Sequence, residues 1–283
     1  MNPKKSSKII PLTISLGVTS VTFLGTTIYF AYKYYNCKHT NENYQNEASN
    51  DENNRELTIP YVGTMNGEIL GPARRLHEND HEDSPYYKRF DFYNAVSNDH
   101  LTIISHFKTY QQTCEYSCGP ACALMVMNYF GENLKEEITE QLLAKELDTI
   151  PDFGTTTKNL EKCFRKRNYH IESSVGIPDG KFDPKKGFLQ FKEYLLDKLK
   201  KGIPMIVESV EWGGHWFVII GYDTMGTENT DDDVLIIADP YDTTDHYQDG
   251  YIILSAERFF SSWFDGRLFA KGENIQQFIV AWK

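Results

Sequence analysis

The chain has 283 residues, of which 40% are apolar and 24% charged, an ordinary composition for one large or two modest globular domains. Its net charge is −11, and because residues 1–38 contain five lysines and no acid, the rest of the chain carries −16. This excess of acids argues against a nucleic-acid-binding protein and against adsorption to an anionic membrane surface.

The N-terminus combines a basic start with a long uncharged run. Residues 1–8 contain three lysines, and the 24 residues of 9–32 contain no charged side chain. A helix of about 20 apolar residues spans a bilayer, so residues 9–32 predict a transmembrane anchor or a signal peptide. No small-x-small cleavage site follows, which favours the anchor. Basic residues stay in the cytoplasm, so the remainder is expected to be extracytoplasmic, or secreted if the segment is cleaved.

A polar linker and an arm follow this segment. Residues 33–56 are rich in Asn and nearly devoid of aliphatic side chains, which predicts a disordered tether. Residues 57–100 contain His77 and His81 among acidic residues, a composition that could suggest a metal site. No helical pattern places both histidines on one face, so we interpret this stretch as a solvated loop. The aromatic residues that come next predict an arm packed on the domain, either as a support or as an inhibitory segment in a cleft.

The domain predicted over residues 101–283 begins with a short strand at 101–106 and then the stretch QQTCEYSCGPACALMVMNYFG. We interpret this stretch as a polar loop entering an amphipathic helix, with Ser117 as cap, Pro120 in the first turn and Gly131 as stop. Cys118 then lies at the helix N-terminus, where the dipole and unpaired amides favour a thiolate.

The remaining elements separate into helices and strands. Helical periodicity covers residues 133–147, a Thr-capped segment after Gly154, and a segment from Phe188 to a stop at Gly202. Strand-like runs occupy residues 169–173, 203–210, 215–221, 234–238, 251–254 and 278–282, with a helix or turn at 255–264. This segregation is typical of the α+β class, with a helical lobe packed on an antiparallel sheet.

The five cysteines suggest two alternatives to catalysis. Cys114, Cys118 and Cys122 are spaced by four, but Cys114 precedes the helix and no histidine follows at ligand-like spacing, which disfavours a zinc site. A Cys114–Cys118 disulfide remains open in an oxidising compartment, and it would silence the nucleophile. Cys163, in a later helix, is expected to be half-buried and inert.

A cysteine nucleophile requires a base and a group that orients this base. His215 starts an apolar strand directly after two glycines, although a histidine bonded to a loop carbonyl is the alternative. Asp239 ends the next strand and reaches His215 if the strands are antiparallel, whereas Asp-Pro is also a common turn. Gln112, six residues before Cys118, can direct its amide to an oxyanion together with the Cys118 backbone amide, and Gln111 competes for this role.

Jointly, Gln-x5-Cys-Gly-Pro-Ala, GHWFVIIGY and ADP resemble the papain-like cysteine peptidases of the bacteriocin-processing (double-glycine leader) type. The resemblance covers residues 101–283 and implies a papain-like α+β fold. It also implies that Cys118 is the nucleophile, His215 the general base and acid, Asp239 the group orienting His215, and Gln112 part of the oxyanion hole. No metal or organic cofactor is implied.

Two departures separate the chain from the leader-processing peptidases. Those proteins usually carry an acidic residue before the cysteine, where this chain has Ser117, and they are fused to transporter domains with a Walker motif that this chain lacks. The chain is therefore expected to be a stand-alone, membrane-anchored thiol peptidase that hydrolyses peptide or protein substrates through a thioester.

Three alternatives remain open. They are a phytochelatin synthase-like transpeptidase, a papain-like shell that binds peptides without catalysis, and a structural surface protein with a Cys114–Cys118 disulfide. The sequence leaves the substrate and the oligomeric state undetermined.

Overall fold

The computed structural model describes residues 71–75, 80–132, 138–264 and 275–283. The basic N-terminus, the predicted anchor at residues 9–32, the linker at 33–56 and the first part of the arm lie outside these ranges. None of the helices within the described ranges is both long enough and apolar enough to cross a membrane.

An antiparallel sheet of seven strands forms the centre of the described structure. The strands are β1 (Leu101–Ile103), β2 (His170–Ser173), β3 (Met205–Ser209), β4 (His215–Asp223), β5 (Val234–Ala238), β6 (Tyr251–Ser255) and β7 (Phe278–Trp282). Their order is β2-β7-β3-β4-β5-β6, and β1 pairs with the C-terminal end of β4. Every strand pair is antiparallel, which confirms the predicted α+β class with an antiparallel sheet.

The central strand β4 explains how the chain brings distant polar residues together. Its first eight residues are buried, as expected for an apolar run with a strand on either side. Val218 pairs with Ala238 in the antiparallel ladder between β4 and β5. The start of β4 and the end of β5 therefore lie at the same edge of the sheet.

Five α-helices pack around this sheet in the described ranges. They are α1 (Cys118–Tyr129), α2 (Glu140–Glu146), α3 (Thr157–Lys166), α4 (Phe188–Lys200) and α5 (Ala256–Ser262). Thr139 and Thr156 cap α2 and α3, since each side-chain oxygen accepts a hydrogen bond at 3.2 Å from a backbone amide three residues later. The helix predicted from residue 133 begins at Glu140, and residues 133–137 lie outside the described ranges.

Helix α1 is buried nearly all round. Ten of its 12 residues are buried, and it packs against β4 and α2. The expected amphipathic character is therefore wrong, because a helix enclosed on all sides needs no polar face. Phe130 follows the helix, and Gly131 then adopts a φ of 79°, which agrees with the predicted stop.

The described part of the arm pairs with the loop that precedes α1. The Gly71 amide donates to the Thr113 carbonyl at 2.9 Å, and the Ala73 amide donates to the Gln112 carbonyl at 3.1 Å. A Cβ atom on Gly71 would lie only 2.4 Å from the Gln112 carbonyl oxygen, so a larger residue would displace one of the two segments. Gln248 adds a hydrogen bond from its amide to the Pro72 carbonyl at 3.1 Å.

Candidate active site

Cys118 is the first residue of α1, and its side chain is 5% exposed. The first amides of a helix have no intrahelical acceptor, and the helix dipole favours negative charge there, so this position suits a thiolate. Ser117 is the N-cap residue, but its side chain makes no capping bond, so the predicted cap is wrong. The Ser117 hydroxyl instead lies within hydrogen-bonding distance of the Cys114 carbonyl (2.9 Å) and of Glu140 Oε1.

His215 is the first residue of β4, and it is 3% exposed. The backbone reaches it through Gly213 and Gly214, whose φ angles of 93° and 149° lie in the region that favours glycine. The two glycines therefore allow a turn that brings the histidine to the sheet edge with its side chain directed inward. Trp212, immediately before them, adopts a φ of 51°.

A buried hydrogen bond joins His215 to Asp239, the residue that follows β5. The distance from His215 Nε2 to Asp239 Oδ1 is 2.7 Å, and Asp239 is 1% exposed. Asp239 Oδ1 also accepts the Tyr241 amide at 2.8 Å, which orients the carboxylate. His215 hydrogen-bonds to Cys118 as well, and since Nε2 is engaged by Asp239, Nδ1 is the ring nitrogen available for the thiol.

The His215 imidazole is held in its protonated form. Burial disfavours the charged ring, but the Asp239 carboxylate and the contacts with Cys118 outweigh burial and raise the pKa of His215 to about 10. The stabilisation from this pair is fully present below the ordinary histidine pKa of about 6.5 and is lost as pH rises through about 10. At neutral pH the site therefore presents an imidazolium beside the cysteine.

The remaining cysteines in the described ranges form no disulfide, and their surroundings differ from those of Cys118. Cys122 lies one turn further along α1, and burial, with smaller contributions from Cys118 and Asp239, raises the pKa of its thiol. Burial also raises the pKa of Cys163 to about 12, and this residue is 2% exposed rather than half-buried as expected. Cys114 and Cys118 form no disulfide. Within the described ranges, no three His, Cys, Asp or Glu side chains are grouped to hold a metal ion.

The two glutamines before Cys118 have different partners. The Gln112 amide nitrogen donates to the carbonyls of Cys114 at 2.6 Å and Glu115 at 3.1 Å, so both of its hydrogens are engaged within the loop. The Gln111 amide nitrogen donates to the Asp239 carbonyl at 2.8 Å. Gln111 therefore supports the segment that carries Asp239, while Gln112 lies in the loop leading to the cysteine.

Two aromatic residues that were not predicted as part of the site contact the imidazole. The Trp212 ring centroid lies 5.1 Å from that of His215 and 5.0 Å from that of Tyr241, and Trp212 is 59% exposed. Tyr241 donates its hydroxyl to Glu115 Oε1 at 2.8 Å. Trp212 also has the left-handed φ of 51° noted above. Such a φ at a non-glycine residue costs about 1–3 kcal/mol and often marks a functional site. The only signal in the sequence was the closeness of these aromatics to His215 and Asp239 along the chain.

Asp242 is a buried carboxyl near this site. It is fully buried, and its Oδ2 accepts the Gly250 amide at 2.8 Å. Burial, with the negative charges of Asp245 and Asp239 and a smaller one of Asp249, raises the pKa of Asp242 to about 9, although the Gly250 hydrogen bond opposes the rise. The folded protein therefore keeps a proton that the unfolded chain releases above about pH 4, so Asp242 costs stability increasingly as pH rises toward 9.

Asp242→Asn is expected to raise the free energy of unfolding at pH 8.5 by about 2 kcal/mol, because the amide keeps the Gly250 hydrogen bond and never ionises. The gain is expected to shrink toward pH 5. Urea unfolding of the variant and the wild type at pH 5, 7 and 8.5 measures this difference. A variant that is less stable at pH 8.5 would contradict the assignment of a neutral carboxyl.

Comparisons with known proteins place this geometry in context. The model of a family described as Peptidase_C39 like matches residues 104–264, which is more than half of the chain. Among solved structures, the chain is similar to the peptidase domain of Streptococcus ComA, a bi-functional ABC transporter involved in a quorum-sensing pathway. The two are 22% identical, the match covers 62% of this chain and 97% of that domain, and the TM-score is 0.40. No match was found among curated proteins.

Proposed function

Because the chain belongs to the Peptidase_C39-like family, as its resemblance to the double-glycine peptidases predicted, we propose that it is a cysteine peptidase with Cys118 as nucleophile. The observation that supports this proposal best is the buried His215–Asp239 pair, joined at 2.7 Å and hydrogen-bonded to a cysteine at a helix N-terminus. The nucleophile, base and orienting carboxylate that covalent catalysis of this kind uses thus come from three separate parts of the fold.

In the proposed reaction, the Cys118 thiolate attacks the carbonyl carbon of a substrate amide, forming a C–S bond and a tetrahedral oxyanion. The His215 imidazolium donates its proton to the leaving amine as the C–N bond breaks, which leaves a thioester and a neutral imidazole. The imidazole then takes a proton from water as the resulting hydroxide attacks the thioester carbonyl. The C–S bond breaks, which releases the product carboxyl group and restores the Cys118 thiolate beside the protonated His215. The Asp239 carboxylate orients the ring and stabilises its charged form.

The oxyanion is assigned to the Cys118 backbone amide and the Gln112 side chain. The Cys118 amide is the first of the helix and has no intrahelical acceptor. Gln112 must exchange one of its two loop hydrogen bonds for the oxyanion, and the longer one, to the Glu115 carbonyl at 3.1 Å, is the natural choice. Catalytic hydrogen bonds commonly adopt their final geometry only when the reacting group is bound.

Thiol labelling tests the activated nucleophile. When the full-length protein is treated with iodoacetamide and its cysteines are mapped by mass spectrometry, Cys118 is expected to react fastest. His215→Ala is expected to remove this difference, because the imidazolium charge beside the thiol is lost. Cys163 serves as an unreactive internal control.

Equal labelling of Cys118 and Cys114, or a Cys118 rate that stays the same in His215→Ala, would refute an activated thiolate. A library of quenched fluorescent peptides then measures hydrolysis and its sequence preference. Addition of an amine acceptor to the same assay separates hydrolysis from transfer, because a transpeptidase releases the acyl group on the amine instead of as a free acid.

A further inference from the structure

Glu140 is a buried carboxylate that contacts the catalytic loop from a neighbouring helix. It is the first residue of α2 and is 4% exposed. Its Oε2 accepts the Tyr110 hydroxyl at 2.8 Å, and its Oε1 accepts the Thr113 backbone amide at 2.9 Å. The Ser117 hydroxyl also hydrogen-bonds to Oε1.

Two of the three donors are direct neighbours of the proposed catalytic groups in the chain. Thr113 directly follows Gln112, and Ser117 directly precedes Cys118. One carboxylate therefore holds the loop beside the proposed oxyanion glutamine and at the start of the nucleophile helix. The Gln112 side chain bonds to carbonyls within the same loop, so the shape of the loop also sets the direction of its amide.

All three donors are uncharged, and this favours a role in positioning. An ion pair would be satisfied by a cation in many orientations, whereas hydrogen bonds from a backbone amide and two hydroxyls require one arrangement of the loop. Burial raises the pKa of Glu140, and the hydrogen bonds from Ser117, Thr113 and Tyr110 oppose that rise. The pKa stays raised overall, so the hydrogen bonds from the loop offset only part of the cost of burying this carboxyl group.

Other hydrogen bonds also hold this loop. The Gln112 backbone amide donates to the Pro240 carbonyl at 2.9 Å. Backbone amides of the arm donate to the carbonyls of Gln112 and Thr113. These contacts bind backbone atoms only. Glu140 is distinct because its carboxylate joins both ends of the loop, from Tyr110 to Ser117.

We propose that Glu140 is a positioning residue for the reaction: it orders the loop at residues 110–117 so that Gln112 and Cys118 meet the substrate carbonyl in a fixed geometry. This inference rests on the proposed peptidase function. It predicts that loss of the carboxylate lowers the rate of bond cleavage more than it weakens substrate binding, because the oxyanion contacts form in the transition state.

The test compares Glu140→Gln with Glu146→Gln in the full-length protein. Glu146 is the last residue of the same helix and pairs with Arg167 at 2.7 Å, away from the loop, so its variant controls for lost charge and stability. With a peptide taken from the library screen, Glu140→Gln is expected to lower kcat at least about tenfold with KM within about twofold. The rate of Cys118 labelling by iodoacetamide is expected to fall at least about fivefold. Glu146→Gln is expected to leave both rates unchanged.

Ser117→Ala provides a second variant in case Glu140→Gln does not fold. It removes one of the three donors and is expected to lower kcat in the same direction by about threefold. The double variant is expected to lose less than the product of the two single effects, since both act through one contact. Additive effects, or a folded Glu140→Gln or Ser117→Ala protein with wild-type kcat and Cys118 labelling, would overturn the inference.

If the wild type cleaves no peptide, the peptidase proposal fails, and Cys118 labelling alone decides the role of Glu140. Slower labelling in Glu140→Gln than in Glu146→Gln then supports the positioning role, and equal labelling rejects it.

Discussion

Cys118→Ala is expected to lower kcat for peptide hydrolysis by at least about 10⁴-fold, because no other group replaces the nucleophile and the thioester cannot form. Peptide binding is expected to persist, since Cys118 is 5% exposed and contributes little surface to a substrate. The measurement is steady-state hydrolysis of a peptide from the library screen, together with fluorescence anisotropy of the same labelled peptide on both proteins.

Cys163→Ala is the matched control for this substitution. Cys163 is also a free, buried cysteine, but it lies in α3, where Arg167 Nη1 approaches its sulfur at 3.0 Å. Its replacement is expected to affect stability and to leave kcat unchanged. If Cys118→Ala hydrolysed peptides at the wild-type rate, the chain would not use this nucleophile. If neither the wild type nor the variant showed turnover while both bound the peptide, the non-catalytic alternative would be favoured.

Asp239→Asn is expected to lower kcat by about 10²–10⁴-fold at pH 8. The physical reason is the balance of forces on His215, where burial lowers the pKa and the Asp239 carboxylate raises it to about 10. An amide at residue 239 removes the charge, so burial dominates and the His215 pKa falls below its ordinary value. The ring is then neutral at pH 8 and does not hold the thiolate or protonate the leaving amine.

The pH profile distinguishes this effect from a general loss of structure. The wild type is expected to lose activity on the alkaline side near pH 10, and the Asp239→Asn variant near or below pH 6.5. Asp242→Asn makes the same chemical change three residues later and is expected to keep the wild-type profile. An alkaline limb near pH 10 in a folded Asp239→Asn protein would show that another group controls the histidine.

Much of the fold follows from local patterns in the sequence. Strands β4, β5 and β7 are short, continuous apolar runs, and their predicted positions agree with the structure to within two residues. Thr156 precedes a periodic segment and caps α3 as expected. These predictions succeed because helix caps, turns and strand periodicity depend on neighbours a few residues away.

Predictions were wrong where a residue distant in the chain changed the hydrogen bonds or the burial of a segment. Ser117 has the residue type and position of a helix cap, yet its hydroxyl turns to a carboxylate 23 residues away in the chain. A buried carboxylate needs hydrogen-bond donors, and the loop supplies them. Helix α1 was expected to be amphipathic, but contacts with β4 and α2 leave it almost no exposed side.

The sequence by itself determined the class of the fold and the candidate triad. Each of these residues has a local signature in the sequence. Cys118 lies at a predicted helix start, His215 follows two glycines, and Asp239 lies at the end of a predicted strand. It also predicts the membrane anchor at residues 9–32, which stays a prediction. Tertiary structure decided the rest: the antiparallel pairing of β4 with β5 joins His215 to Asp239, and the packing of α2 brings Glu140 to the loop. Such contacts depend on which elements pack against each other in the folded protein, and the residue pattern within a single element does not determine its packing partner.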